Sequence, residues 1–426
     1  MSIALRRKTV LKPTHHGQGR IRCRKDIDMI LKVMSWNMAG AKVFGCLDGD
    51  PDPVAKTYIK HFYEAWEQGV LRQFQTSKHQ PDYPDIILLQ ECIGFVDHRA
   101  TPSGRWQTGK QILEGVFSSS YECFFFPAFS SHTHPHPARW NQLWQGGGTT
   151  HYIPEEIEAQ QGYGVCVRRD PAPLRRLWVK DPQPDTTKDP IDRPNPLQYN
   201  LCFEAIHTAT GLYLGGRDTE PRLVVLGRLK VPDGPGGERY VNFLDVHLTT
   251  LKGEREGKIR LDRQGSRIRL QQLEMILDNI ISAYQEATQH RMPRTAPHQK
   301  EDIWVMAGDF NATPVSEELE LVGQAGFVDG NPDKHLEDAE GTFDGQIGTK
   351  WSIRRDPGAP GGPPFINKYI GPPIVVDYVL CGLQSSAFSV NGVSMARSRR
   401  PYRPPFPQGS PFEPDHAVLF ASLDVK

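Results

Sequence analysis

The stretch 304–314, WVMAGDFNATP, constrains the fold more than any other part of the chain. Its apolar run ends in a glycine turn, and two polar residues, Asp309 and Asn311, follow at once. This pattern predicts a buried strand that delivers both side chains at its C-terminal end, where open sheets place their ligands. Asp309 can accept a proton or orient a water, and Asn311 can donate a hydrogen bond to a phosphate oxygen. Thr313 and Pro314 predict the N-cap and the first residue of a helix.

The overall charge excludes a general electrostatic attraction for anionic partners such as nucleic acid. The chain has 426 residues and a formal net charge of +0, so it has no global basic field of the kind that drives non-specific nucleic-acid binding. An anionic substrate must therefore be held by a local cluster or by a metal ion.

Cysteine usage and the N-terminal segment bear on the compartment. The seven cysteines are an odd number without CxxC spacing, which favours a reducing compartment over a disulfide framework.

No apolar run approaches the ~20 residues needed to span a bilayer. Residues 1–28 are basic and lack the apolar core of a secretory signal, so we expect a flexible arm on a cytoplasmic protein. The alternative is a weak organellar transit signal.

Apolar runs and helical spacing predict one mixed α/β domain over 29–426, in which strands are joined by short turns and by helices. The predicted strands are 29–35, 85–90, 121–126, 164–168, 201–205, 223–230, 240–248, 303–307, 374–380 and 417–425. The predicted helices are 54–74, 108–117 and 260–283.

Three Pro- and Gly-rich stretches interrupt this rhythm and predict surface insertions, near 127–161, 354–373 and 397–414. In the first of them His132, His134 and His136 alternate, so they could share one face of an extended chain and bind a transition metal. The interleaved prolines favour a solvated loop instead.

Polar side chains recur at the ends of predicted apolar strands. They are Asn37, Glu91, His247, Asp309, Asn311, Asp377, Asp415 and His416. Carboxylates and an amide in such places suit a hard divalent cation, which prefers oxygen ligands and engages substrate phosphate. Histidines with nearby carboxylates suit proton transfer or charge stabilisation.

Each of these residues also has a structural interpretation. Asn37 could cap a turn, Glu91 could pair with an arginine, and His247 could be a satisfied core histidine. Asp377 is harder to explain in this way, because a carboxylate within a buried strand needs a partner. His416 is the natural one. Taken together and in this order, the residues favour a catalytic site.

The order of the motifs WNMAG, LLQEC, DVHL, GDFNATP, VVDYVL and PDH resembles the endonuclease/exonuclease/phosphatase superfamily, whose fold is DNase I-like. The resemblance runs from about residue 29 to the C-terminus. It implies an α/β four-layer sandwich, in which two mixed β-sheets lie face to face and helices flank them. It also implies cleavage of a phosphate ester that depends on Mg²⁺ or Mn²⁺.

The resemblance assigns roles to the matching residues. Glu91 would be the principal metal ligand, assisted by Asn37 directly or through water, and Asp415 would help to hold the metal or its water. No other cofactor is implied.

Five further residues would carry the chemistry. Asp309 would orient or deprotonate the attacking water, and Asn311 would bind phosphoryl oxygens. His416 would stabilise the transition state or transfer a proton, with Asp377 fixing its ring. His247 would contact the phosphate or assist the leaving group.

The chain departs from the family pattern in places. Pro414 replaces the serine of the usual Ser-Asp-His motif, which affects fine positioning and not the chemistry. Neither 312–314 nor 376–378 matches inositol polyphosphate 5-phosphatases.

Asp245, on the same strand face as His247, could orient that histidine.

The expected activity is hydrolysis of a phosphodiester in nucleic acid or a nucleotide-like ester. The alternatives are a phosphomonoesterase, a sphingomyelinase-like lipid phosphodiesterase and an inactive scaffold. The sequence indicates neither a transmembrane segment nor a protein partner.

Overall fold

A computed structural model describes most of the elements predicted from the sequence. The described residues are 29–40, 43, 51–73, 83–102, 104, 106–117, 120–132, 156–170, 177–179, 201–208, 222–233, 237–249, 263–281, 303–329, 375–382, 393–396, 402–408, 410 and 412–425. The predicted N-terminal arm, 1–28, and the predicted insertion 354–373 lie outside them.

The described residues contain thirteen strands, four helices of eight or more residues and a three-residue helical segment, Leu71–Gln73. The strands are β1 (Met29–Asn37), β2 (Ile86–Asp97), β3 (Tyr121–Ser130), β4 (Ile157–Arg168), β5 (Leu177–Val179), β6 (Leu201–Thr208), β7 (Arg222–Asp233), β8 (Gly237–His247), β9 (Ile303–Asp309), β10 (Phe327–Asp329), β11 (Asp377–Gly382), β12 (Val393–Ala396) and β13 (Leu419–Val425). The helices are α1 (Pro51–Ala65), α2 (Gly109–Phe117), α3 (Arg263–Glu274) and α4 (Glu317–Gln324). π-Helical segments, Trp66–Val70 and Met275–Ile281, continue α1 and α3.

The strands form two mixed sheets. The first has six strands in the order β12-β13-β1-β2-β4-β3, and the second has seven in the order β10-β11-β9-β8-β7-β6-β5. In the first sheet β1 and β2 are parallel, and in the second β8 and β9 are parallel. The other pairings are antiparallel, apart from β5 with β6.

Alternate side chains of each central strand face different layers, as the two-residue period of a strand requires. In β9, Val305 and Ala307 belong to the apolar core that contains side chains of both sheets. Trp304 and Met306, on the other face of β9, pack with residues of α3 and α4. Helices α1 and α2 contribute to the core on the side of the first sheet. The predicted four-layer sandwich is confirmed.

Helix α1 buries the face that its apolar spacing predicted. Tyr58 and Phe62 are fully buried, and the Tyr58 hydroxyl donates to the Met38 carbonyl, 2.9 Å away. The segment after residue 402, which the sequence predicted as a loop insertion, packs on the same helix. Phe412 contacts the Tyr58 ring at a centroid distance of 5.5 Å, and Phe406 contacts Phe62 at 5.1 Å.

Two local predictions differ from the structure. Helix α4 begins at Glu317 with Ser316 as its N-cap, so the prediction that Thr313 and Pro314 start the helix is wrong. The chain first closes a turn in which the Ser316 N–H donates to the Thr313 carbonyl at 3.0 Å. At the predicted insertion 127–161, β3 and β4 occupy both ends, and residues 133–155 lie outside the described part.

A polar contact links the two sheets inside this core. Gln90 of β2 donates from Nε2 to Asp245 Oδ1 of β8 at 2.5 Å, and both residues are fully buried. The Ser35 hydroxyl lies 3.3 Å from the same Nε2. Asp245 therefore contacts the first sheet, and the expectation that it orients His247 is replaced by this pairing. Among the described residues, the second carboxylate oxygen of Asp245 has no hydrogen-bond partner.

Gly308 provides a sharp test of the β8/β9 register. Its φ is 137°, and a Cβ there would lie 1.9 Å from the Val246 carbonyl oxygen. We expect Gly308→Ala to lower the free energy of unfolding by about 3 kcal/mol or more, because it adds backbone strain to a backbone clash. Gly323→Ala is the matched control, because its Cβ would meet no atom within 4 Å. Urea unfolding that shows equal stability for the two variants would contradict this register.

Asp245 gives a prediction about pH. Burial raises the pKa of its carboxyl well above the ordinary value of 3.8, although hydrogen bonds from Gln90 and Leu89 oppose this. Above pH 3.8 the unfolded protein loses this proton, whereas the folded protein keeps it up to its own, higher pKa. Raising the pH through this range therefore lowers the stability of the native protein. The Asp245→Asn variant lacks this dependence.

We therefore expect Asp245→Asn to gain stability relative to the native protein between about pH 5 and about pH 8. Urea unfolding of both proteins at the two pH values measures the difference. The control is Asp278→Asn, which removes an exposed carboxylate of the same chain. A difference that is independent of pH would show that Asp245 is ionised in the folded protein.

Candidate active site

The predicted site residues meet where the parallel strands of both sheets end. Seven of the eight are buried, and Glu91 is the one that remains partly exposed, with 19% of its side chain accessible. The three non-glycine residues with positive φ in the described part lie around this site, two of them just after β1 and β9 and the third within β2, beside the end of β1. They are Ala39 (51°), Glu91 (51°) and Asn311 (49°). Such conformations persist only where surrounding structure enforces them, and they concentrate at functional sites.

Asn37 joins the two carboxylates at the centre of the site. Its Oδ1 accepts the Ala39 N–H at 3.0 Å, which turns the amide nitrogen toward the acidic residues. That nitrogen lies 3.2 Å from Asp309 Oδ2 and 3.4 Å from Glu91 Oε1. Asn37 thus presents a donor to both carboxylates, one from each sheet.

Glu91 owes its position to an irregularity in β2. The pairing of β2 with β4 shifts register between Leu89 and Cys92, and Glu91 takes a left-handed conformation within that bulge. A bulge of this kind re-aims a side chain that regular pleating would send elsewhere. Glu91 Oε1 comes to lie 3.8 Å from His247 Nε2.

His416 and Asp377 form the hydrogen-bonded pair that the sequence predicted. His416 Nδ1 lies 2.9 Å and 3.1 Å from the two carboxylate oxygens of Asp377. Its Nε2 lies 3.7 Å from Asp309 Oδ2. Burial lowers the pKa of His416, but Asp377, Asp309 and Asp415 outweigh it and raise the pKa well above its ordinary value. The surrounding carboxylates therefore favour the protonated form of His416.

Arg222, a residue that the sequence did not single out, lies against His247. Its Nη1 lies 3.0 Å from His247 Nδ1 and 3.4 Å from His247 Nε2. A guanidinium only donates, so the nearer nitrogen, Nδ1, is assigned as the acceptor and Nε2 as the protonated nitrogen, which lies 3.5 Å from Asp309 Oδ2. Burial, Arg222 and His416 lower the pKa of His247 well below its ordinary value.

Arg222 gave little signal in the sequence. It is a single arginine before an apolar run, which is usually solvent-exposed, yet here it is 4% exposed at the start of β7. Tyr163 of β4 is a second residue that was missed. Its hydroxyl donates to the His247 carbonyl at 3.3 Å and so connects the first sheet to β8.

The remaining two residues flank this group. The Asn311 N–H donates to Asp309 Oδ1 at 2.8 Å, and its amide nitrogen donates to the Leu248 carbonyl at 3.1 Å. Asp415 is buried, and the Arg403 guanidinium donates to its backbone carbonyl at 2.7 Å. Asp415 acts on His416 through its charge.

The donor chemistry of the site fits a divalent cation. Four predicted carboxylates gather here, and Asp309, Asp377 and His416 offer ligand atoms that lie within 4.8 Å of one another. Both His416 nitrogens already face carboxylates, however, so we interpret that trio as a hydrogen-bonded His416–Asp377 pair with Asp309 as its ionic neighbour. Glu91 is the carboxylate that solvent reaches, and it is the better candidate for a cation that keeps several waters.

Among known protein families, the chain matches the Endonuclease/Exonuclease/phosphatase family over residues 34–398. A comparison with curated proteins gave no match. No helix in the described residues is long and apolar enough to cross a membrane.

Among solved structures, the chain is similar to the endonuclease/exonuclease/phosphatase from Bacteroides vulgatus, with 13% identity and a TM-score of 0.43 over 93% of this chain and 100% of that one. It is similar to D. rerio TDP2 complexed with single strand DNA product, with 14% identity and a TM-score of 0.42 over 93% and 100%. It is also similar to the human Nocturnin catalytic domain with bound sulfate anion, with 14% identity and a TM-score of 0.37 over 94% and 96%.

The family match covers most of the chain, and it includes every strand that contributes to the site except β13. The protein belongs to the endonuclease/exonuclease/phosphatase family, whose members are hydrolases acting on phosphate esters.

Proposed function

We propose that the protein is a divalent-metal-dependent phosphodiesterase that acts on nucleic acid or a nucleotide-like ester. The observation that carries this proposal is the contact of the Asn37 amide with Glu91 and Asp309, 3.4 Å and 3.2 Å away. It holds one partly exposed and one buried carboxylate side by side, near the rings of His247 and His416.

Glu91 and Asp415 would hold Mg²⁺ or Mn²⁺, and Asn37 would fix the Glu91 carboxylate through its amide nitrogen. When bound, the cation neutralises phosphate charge and makes the phosphorus more open to attack. Imidazole ligands do not suit Mg²⁺, so we exclude both histidines from the ligand set.

Asp309 would orient the attacking water and accept its proton. Its Oδ2 accepts a hydrogen bond from the Asn37 amide at 3.2 Å, and ring nitrogens of His247 and His416 lie 3.5 and 3.7 Å away. The Asn37 hydrogen bond orients the carboxylate, and a positioned carboxylate can accept a proton from water.

The two histidines would take different roles because their protonation states differ. His416 would hold positive charge next to the phosphoryl group as negative charge develops there, and Asp377 fixes its ring. His247 would present its Nε2 proton to the phosphate or the leaving group. Asn311 would bind a phosphoryl oxygen.

A diester of nucleic acid or of a nucleotide-like ester is favoured over inositol phosphate and lipid substrates by local features. The residues after Asn311 do not match the pattern of inositol polyphosphate phosphatases. The large exposed apolar side chains in the described residues are Ile30, Tyr63 and Val315, which are too few for a lipid-facing patch. A phosphomonoesterase or sphingomyelinase-like activity remains the second candidate, and an inactive scaffold is the third.

Glu91→Ala and Asp309→Ala test the site. We expect each to reduce divalent-dependent hydrolysis of bis-p-nitrophenyl phosphate by about 10³-fold or more, because one removes a metal ligand and the other the proton acceptor. The control is Glu122→Gln, which changes an exposed carboxylate on β3 and should keep full activity. Thermal unfolding checks that all variants fold. Full activity in either test variant would refute the assignment.

The substrate is identified by a separate screen. Single- and double-stranded oligonucleotides, inositol phosphates and sphingomyelin are each offered with Mg²⁺, Mn²⁺ or EDTA, and the Asp309→Ala variant runs in parallel. Turnover of oligonucleotides that EDTA abolishes would support the proposal. Turnover of sphingomyelin alone, or of a phosphomonoester alone, would contradict the proposal and favour the second candidate.

A further inference from the structure

A second group of metal-type donors lies at the far end of the first sheet. His98 follows β2, His132 follows β3, and Glu158 lies near the start of β4; we call these three residues the rim cluster. His98 Nε2 lies 2.6 Å from Glu158 Oε2, and the two imidazole rings stack at a centroid distance of 5.4 Å. One ligand atom from each residue lies within 4.8 Å of the other two.

Neighbouring groups hold the rim cluster in place. Ser130 hydrogen-bonds the Glu158 carboxylate, and the Gln160 amide donates to Glu158 Oε1 at 3.4 Å. The His132 N–H donates to Ser130 Oγ at 3.3 Å. Glu158 Oε2 is thereby directed at the histidines. Partners that orient a ligating side chain in this way are a regular feature of metal sites.

The arginine next to His98 already has an acidic partner. The Arg99 guanidinium, one residue after His98, pairs with Asp97 through Nε at 2.8 Å and Nη2 at 2.5 Å. The rim cluster is therefore not simply the counter-charge of that arginine.

The rim cluster is remote from the candidate active site. Seven residues of extended chain separate Glu91 from His98, which corresponds to about 20 Å at the rise of a β-strand. His132 and Glu158 flank the segment 133–155, so a cation bound to both would tie the two ends of that segment to the end of β2. Such a cation would serve structure and not the hydrolytic step.

We propose that His98, His132 and Glu158 bind a first-row transition metal cation of the Zn²⁺ type. Two imidazoles and a carboxylate form a known zinc donor set, and water completes the tetrahedron. Metal–ligand distances of about 2.0–2.2 Å place donors about 3.3 Å apart, which side-chain rotations at this half-exposed position can reach. Mg²⁺ disfavours imidazole ligands, so the rim cluster and the active site would select different cations.

The test is a Co²⁺ titration of the full chain in excess Mg²⁺, followed by visible absorption, with Zn²⁺ as the competitor. The native protein is expected to show Co²⁺ bands that Zn²⁺ displaces. His98→Asn, His132→Asn and Glu158→Gln should each weaken binding by about 100-fold or more, because loss of an outer partner alone costs 10–100-fold. A rise in Tm on adding Zn²⁺ should disappear in the same variants.

Two controls make the result decisive. His61→Asn changes a histidine of α1, outside the rim cluster, and should bind as the native protein does. Glu91→Ala should also retain the Co²⁺ bands, which separates this site from the cleft and from the proposed hydrolysis. Unchanged Tm in EDTA shows that the variants fold. Equal binding by the native protein and His132→Asn, or loss of the bands in Glu91→Ala, would overturn the proposal.

Discussion

The candidate active site depends on one contact across the interface between the sheets, the hydrogen bond from Asn37 to Asp309 at 3.2 Å. The two residues are 272 positions apart in the chain and are buried at the ends of the central strands β1 and β9. Each strand lies beside a parallel neighbour, and the ends of parallel pairs are where open sheets place functional side chains. Face-to-face packing of the sheets joins two such ends into one site.

The two halves of the site repeat the same local arrangement. In both sheets the central strand lies between one antiparallel neighbour and one parallel neighbour, and further antiparallel strands follow. Asn37 and Asp309 end equivalent strands, and each accepts the N–H of the residue two positions later. Those two residues, Ala39 and Asn311, both adopt φ near 50°. The Asn37 amide of one half therefore donates a hydrogen bond to the Asp309 carboxylate of the other half.

Charged neighbours distinguish the two buried histidines of this site. Burial lowers the pKa of both, but the carboxylates of Asp377, Asp309 and Asp415 raise that of His416, whereas Arg222 lowers that of His247 further. Low dielectric surroundings strengthen these charge effects. The two rings therefore differ in their tendency to hold a proton.

The sequence by itself predicted ten of the thirteen described strands, the layered α/β class and eight residues that the structure brings together, but not the short strands β5, β10 and β12. Apolar runs and their periods are local properties, so they could be recognised without coordinates. The pairing of His416 with Asp377 followed because a carboxylate in an apolar strand needs a partner.

Only the tertiary structure decided the contacts that no local pattern encodes. Arg222 reaches His247 because β7 lies beside β8, and Asp245 contacts Gln90 because the sheets pack face to face. The β-bulge that aims Glu91 depends on the register of β2 against β4. Register and sheet packing arise from interactions between distant segments. The residues of the rim cluster also come from distant segments, so only the folded chain brings them together.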